Sequence, residues 1–220
     1  RIFTLSPGST STKLAVFEGE RCLFKANVAH DVGTLKSFKQ ISDQLPYRRD
    51  TIFAELARAG VSIADMDAFS ALSGGLESME GGVYPINDMI LQHAREGRTV
   101  KHPATLGALL IHAFSKETGR PAFLVNPPDV DEFQDLARLT GLKGVYRESR
   151  VHALNQKEVA LRYAAERGKK YEECNFVVAH IGGGLSVCAH QKGRMIDGND
   201  VLNGDGPMAP NRAGSVPAVP

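Results

Sequence analysis

The chain contains no tryptophan, and its aromatic side chains are ten Phe and five Tyr. A stacking platform for single-stranded nucleic acid needs exposed rings interleaved with cations, and this composition does not supply one. An excess of one charge sign is also missing: 26 Lys and Arg face 25 Asp and Glu, a formal net charge of +1. That balance leaves no electrostatic footprint for nucleic acid or for an anionic membrane. No stretch approaches the ~20 apolar residues of a membrane-spanning helix, and no secretory apolar region opens the chain. Cysteine is scarce. Cys22, Cys174 and Cys188 form no CxxC pair and cannot all pair within one chain. Reduced thiols in a cytoplasmic setting fit that usage. The seven His are scattered with no HExxH, so no zinc pattern is present. A Gly-x-Ser-x-Gly nucleophile elbow is absent, as is a GxGxxG followed by an acidic residue about 20 positions on. Serine hydrolysis and dinucleotide oxidoreduction are thereby disfavoured.

What is present suffices for a folded domain, or two small ones. The 220 residues are 42% hydrophobic and 23% charged, and 22 Gly and 11 Pro punctuate them in clusters. Apolar alternation predicts strands over 2–5, 13–17 and 21–29. Helical spacing predicts helices over 38–59, 86–95, 105–117, 130–139 and 154–166, with further strands at 66–72, 122–125, 175–181, 185–190 and 195–196. Val177, Val178 and Ile181 predict a strand buried on both faces. This order is a mixed-sheet α/β layout in two parts. The polar run 167–173 marks a boundary near residue 170, giving domains 1–170 and 171–220. The closing stretch, Asn203 to Pro220, is loop material with no closing element, as expected of a chain cut off in mid-architecture.

Four constellations carry chemistry. Between the first two strands lie Ser6, Pro7, Gly8, Ser9, Thr10, Ser11, Thr12 and Lys13. Hydroxyls, backbone N–H groups and an ammonium in one turn suit phosphate oxygens, although the helix-opening P-loop pattern is not matched. The alternative is a plain polar hairpin. His180 precedes Gly182, Gly183 and Gly184, three residues whose missing Cβ atoms let a ligand approach the backbone; a structural turn is the alternative. His102 and His152 each stand just before a helix, where an anion would also sit. Each reads either as a phosphoryl partner or as a locally capped surface residue. Arg212, in a Gly/Pro loop, is a bidentate anion ligand or a solvated side chain.

Together these segments resemble the butyrate kinase branch of the acetate kinase family, within the actin-like, sugar-kinase-like ATPase superfamily. The resemblance is carried in order by Pro7 to Lys13, Gly74-Gly75, His102, Asp131-Glu132, His152-Ala-Leu-Asn-Gln-Lys157, Ala179-His-Ile-Gly-Gly-Gly184, Gly193-Arg-Met-Ile-Asp197, and Gly204-Asp-Gly-Pro207 with Arg212. It implies an α/β, actin-like ATPase (ribonuclease H-like) fold of mixed sheets with flanking helices, its second lobe incomplete and much of the adenosine pocket missing. It implies transfer of the γ-phosphoryl group of ATP, with Mg²⁺, to butyrate or a similar short-chain carboxylate, reversibly giving an acyl phosphate. Ser9 to Lys13, His180 and Gly182 to Gly184 would then hold nucleotide phosphates. His152 and Arg212 would stabilise the transferring group, and His102, Ser73, Gly74 and Gly75 would line the substrate side. A cytoplasmic homodimer or larger homo-oligomer is implied as well, with neither nucleic acid nor membrane as partner.

Three positions depart from the family pattern. Ser6 stands where the family has an Asn near the metal, Ser73 where it has the carboxylate-binding Arg, and Asn126 where it has a catalytic, metal-organising Asp. Asn126 carries no charge and can serve neither as counter-charge nor as base. The alternative function is therefore a nucleotide-binding homologue without turnover, in a regulatory or structural role. Whether Arg95 or Arg98 replaces the missing guanidinium distinguishes the two.

Overall fold

The computed structural model describes residues 1–202 and 205–217. The chain divides into two compact units, Arg1–Glu77 with Val83–Val125, and Ser78–Gly82 with Asn126–Pro220.

The first unit opens with a meander, β1 (Ile2–Pro7), β2 (Ser11–Glu18) and β3 (Arg21–Ala29), whose strands pair antiparallel. Alternation turns Phe3, Leu5, Leu14 and Val16 inward. Two helices follow, α1 (Val32–Ser37) and α2 (Leu45–Arg58), the latter preceded by a 3₁₀ turn at Ile41–Gln44. The single helix expected over 38–59 therefore starts later, with Pro46 in its first turn, where a missing N–H costs nothing. Next come β4 (Ala68–Ala71), β5 (Val83–Pro85), α3 (Asp88–Glu96), α4 (Leu106–Thr118) and β6 (Ala122–Val125). The six strands form one sheet in the order β3-β2-β1-β4-β6-β5. β1, β4 and β6 run parallel, and the antiparallel edge strand β5 has no counterpart in the sequence reading. Helix α4 is buried almost all round, and its Phe114 ring meets Phe53, Phe3 and Phe69 at 5.3, 5.8 and 5.9 Å between centroids. It lies so close to the end of β4 that a Cβ at Gly107 would sit 2.5 Å from the Leu72 carbonyl oxygen.

The second unit holds α5 (Ala153–Glu166) and a three-stranded antiparallel sheet, β7 (Asn175–Ile181), β8 (Leu185–Gln191) and β9 (Arg194–Gly198). Ala160 and Ala164 of α5 pack on Tyr171 and Val178. Helix α5 thus belongs to the same compact unit as the sheet that follows it. β7 is an edge strand, and only its Phe176, Val178 and His180 face turns inward. Val177 and Ile181 are 76% and 79% exposed, so the expectation of two-sided burial is corrected.

No α-helix forms over 130–139. Among the described residues that segment makes a bridge from Val130 to Met79 and a short 3₁₀ turn at Asp135–Arg138. Its polar side chains take other partners. Asp131 accepts from the Phe133 N–H and holds Arg138 through two bonds of 2.7 and 2.8 Å, a local alternative to helical bonding. Glu132, 6% exposed, accepts from Lys157 Nζ at 2.8 Å, the Met195 N–H at 2.8 Å and the Gly81 N–H at 2.9 Å. Burial pushes the Glu132 carboxyl up, and these three donors outweigh that and hold it below the usual carboxylate range. Glu132→Gln would leave the Lys157 ammonium buried without its counter-charge. The expected loss, read from urea unfolding, is about 3–5 kcal/mol.

Candidate functional site

In the first unit the turn between β1 and β2 is closed by Gly8 N–H donating to the Ser11 carbonyl at 2.7 Å. Register pairs Ser6 with Lys13 and Pro7 with Thr12, so Ser6 and Lys13 share one face of the ribbon and Thr12 lies on the other. Lys13, Ser9 and Thr10 are exposed. Thr12 is fully buried: its Oγ1 lies 2.8 Å from His30 Nε2 and accepts from Arg48 Nη1 at 3.2 Å. Arg48 itself is fully buried, donates also to the Gln44 side chain and to the Ser9 carbonyl, and backs the turn with a positive charge. Of the hydroxyls expected to meet phosphate, Thr12 is therefore committed to the interior.

Ser9 Oγ lies 3.4 Å from His102 Nε2, while His102 Nδ1 accepts from the Ala104 N–H at 3.1 Å. The ring thus caps the turn that leads into α4. Ser73 is fully buried beneath the first turn of α4, donating to the Thr105 carbonyl at 3.4 Å and accepting from the Ala108 N–H at 3.1 Å. It offers nothing to a ligand. Gly74 and Gly75 are buried beside it, and the Gly75 carbonyl accepts from the Arg98 N–H at 3.2 Å. Arg98 is exposed next to this bend, paired with Glu77 at 3.1 Å, and Arg95 is exposed on α3.

The second unit gathers the remaining residues. His152 and His180 stack at 3.7 Å between centroids with 10° between their planes. His152 Nδ1 meets Ser186 Oγ at 2.9 Å, and His180 Nδ1 meets Asn155 Oδ1 at 2.9 Å. His152 therefore caps no backbone of α5, unlike the surface reading. Burial pushes it down to about 4, helped by the neighbouring His180 and Arg212, which favours a neutral ring. Arg212 lies against the Gly182–Gly184 turn. A Cβ on Gly184 would strike its guanidinium, and one on Gly183 would come within 2.7 Å of Asn211 Nδ2. Among the described residues no carboxylate pairs with Arg212. Bare glycine backbone, an uncompensated guanidinium and two imidazoles make an anion cradle. Asn126 is committed to a bend. Its φ of 40° is a conformation Asn tolerates, and its Oδ1 accepts from the Gly82 N–H at 2.8 Å, holding the Gly81-Gly82 bend. Gly204, part of the motif preceding Arg212, lies outside the described residues.

No family model matches the chain. Solved structures do match. The acetate kinase of Porphyromonas gingivalis superposes with a TM-score of 0.72 at 19% identity, over 99% of this chain and 61% of that one. A propionate kinase from Francisella tularensis gives 0.70 at 15% identity over 99% and 62%, and the acetate kinase of Entamoeba histolytica 0.66 at 13% over 99% and 59%. The chain has the acetate kinase fold. It spans about three fifths of the length of those structures. The mixed α/β sheets with flanking helices expected from the sequence are present. No helix among the described residues is long and apolar enough to cross a membrane.

The sequence reading assigned no individual role to Ser186, Gln156, His190 or Tyr171, which back His152. Spacing carried the signal. Gln156 is four residues after His152 on a helix, and Ser186 and His190 are four apart on a strand, so each pair shares a face. Arg48 and His30 had no such signal, because tertiary packing alone brings α2 and β3 to the turn.

Two outcomes are expected here. His30, His152 and His190 are each pushed by burial from 6.5 to about 4. The unfolded chain therefore protonates first as pH falls, and stability present above pH 6.5 declines progressively toward pH 4, visible as a falling urea midpoint. Ser73→Arg, which would supply the guanidinium that the sequence resemblance implies, is expected to destabilise the first unit by several kcal/mol, because a guanidinium has no room beneath α4.

Proposed function

We propose that this protein binds the phosphates of ATP and transfers the γ-phosphoryl group to a short-chain carboxylate, butyrate or a similar acid, reversibly giving an acyl phosphate. The observation that carries the proposal is the cradle of Arg212, His152, His180 and the bare Gly182–Gly184 backbone. The acetate kinase fold supports it. Both reactants are anions, so the site must offset charge on the equatorial phosphoryl oxygens without adding water. Arg212 supplies a fixed positive charge, and neutral His152 a hydrogen-bond donor. The glycines let a phosphate reach backbone N–H groups. Ser9, Thr10 and Lys13, backed by Arg48, offer a second set of phosphate donors in the first unit.

A magnesium ion accompanying ATP would neutralise charge on the phosphates. Among the described residues no cluster of His, Cys, Asp or Glu could hold a metal by itself, and Ser6 adds one hydroxyl at most. With Ser73 buried, the carboxylate clamp falls to Arg98 beside Gly75. The reading also carries a cytoplasmic enzyme assembled as a homodimer or larger oligomer.

A second reading retains nucleotide binding and drops turnover. It is favoured by Ser73 and Asn126, whose side chains are both committed to internal hydrogen bonds. Acyl-phosphate formation by the complete protein, trapped with hydroxylamine over a panel of short-chain acids, separates the two. The expected outcome is turnover that falls about 10²–10³-fold in His152→Ala and Arg212→Ala. Arg98→Ala is expected to raise KM for the acid about tenfold and leave KM for ATP unchanged. ATP binding without any hydroxamate from the unmodified protein establishes the second reading.

A further inference from the structure

Behind His152 runs an unbroken line of buried polar side chains. Tyr171 Oη lies 2.6 Å from His190 Nδ1, His190 Nε2 lies 3.1 Å from Gln156 Oε1, and Gln156 Nε2 lies 2.9 Å from the Ser186 carbonyl and 3.1 Å from Ser186 Oγ. Ser186 Oγ in turn meets His152 Nδ1 at 2.9 Å. Gln156 and Ser186 are fully buried, and His190 and Tyr171 are 2% and 6% exposed, so no solvent is available to complete a wrong arrangement.

One group in this line has no choice. A backbone carbonyl only accepts, so Gln156 must turn its amide nitrogen toward Ser186 and its oxygen toward His190. Everything else follows. On one side, Gln156 Oε1 requires a proton on His190 Nε2, which leaves His190 Nδ1 to accept from the Tyr171 hydroxyl. On the other, the second amide proton of Gln156 goes to Ser186 Oγ, and His152 Nδ1 is the neighbour that can accept the Ser186 proton, which would otherwise be buried without a partner. His152 then carries its own proton on Nε2.

We propose that the Ser186 carbonyl, through Gln156 and the Ser186 hydroxyl, locks His152 in the Nε2–H form, with Ser186 and Gln156 as positioning residues. Flipping Gln156 would set two oxygens against each other at 2.9 Å. The neutral ring and the protonated Tyr171, whose hydroxyl burial holds above its usual range, are the states the line requires. The geometry thus fixes a hydrogen-bond donor, rather than a lone pair, on the free nitrogen of His152. An oxyanion is the ligand class that such a nitrogen takes. Only this last step, presentation of the donor to a phosphoryl or carboxylate oxygen, rests on the kinase reading.

The test is ¹⁵N-histidine NMR of the complete protein, with long-range ¹H–¹⁵N correlations that separate the two tautomers and His152 assigned by its loss in His152→Asn. The expected result is His152 in the Nε2–H form alone, Ser186→Ala giving a mixture of tautomers, and Ser186→Thr restoring the single form. In the acyl-phosphate assay Ser186→Ala is expected to lower kcat about 10- to 100-fold, with KM for ATP little changed. An Nδ1–H form or a mixture in the unmodified protein overturns the proposal, and that spectrum decides even if Ser186→Ala does not fold. A pure Nε2–H His152 in a protein that forms no acyl phosphate supports the lock and sinks the kinase reading. An active protein with Nδ1–H His152 does the reverse.

Discussion

The second unit is organised around one buried ion pair. Glu132 and Lys157 sit 2.8 Å apart with almost no solvent around them, a placement that is costly unless every remaining hydrogen-bonding position is filled. Here they are. Glu132 takes the N–H groups of Gly81 and Met195, and Lys157 reaches the Gly193 carbonyl and lies 5.6 Å from the centre of the Tyr171 ring. A single pair thereby ties the Gly81-Gly82 bend, α5, the β8–β9 turn and the segment before β7. Because Lys157 follows Gln156 on α5, fixing the first fixes the rotation that presents Gln156 and His152 to β8.

That dependence explains why the chemistry of the site is directional. Glu132 and Asp131 are balanced locally by Lys157 and Arg138, and the line behind His152 carries no charged side chain. The guanidinium of Arg212 is left as the charge that an incoming anion meets, and the imidazoles contribute oriented dipoles. Neutral donors held in place lose nothing to reorganisation when charge develops on a ligand, which is the advantage of a preorganised site over mobile cations. The first unit uses the opposite device, a buried cation at Arg48 placed behind an exposed turn.

Much of this was legible in the sequence because local pattern and tertiary structure agree. The bounds of β3, β6 and β7 coincide with their apolar runs, and α4 and α5 begin within a residue of expectation. The motif running from His152 to Lys157 was recognisable as a unit, although its chemistry is divided: His152 faces the cradle, Gln156 the relay and Lys157 the ion pair. Failures arose where side chains took partners that the apolar pattern does not report. Asp131 and Glu132 draw their segment out of a helix. Ser73 is taken by α4, which packs so closely because residue 107 is Gly. Thr12 alternates inward by register, which places it opposite the phosphate donors it sits among in sequence.

The exposed face of β7 has a consequence for the protein as a colloid. Val177 and Ile181 project from a strand whose outer edge is unpaired within its three-stranded sheet, and Leu136, Leu139, Leu142 and Tyr146 add more exposed apolar surface in the same unit. With a formal net charge of only +1 and a pI near 7.9, there is little mutual repulsion between molecules at neutral pH to oppose contact through such a strand.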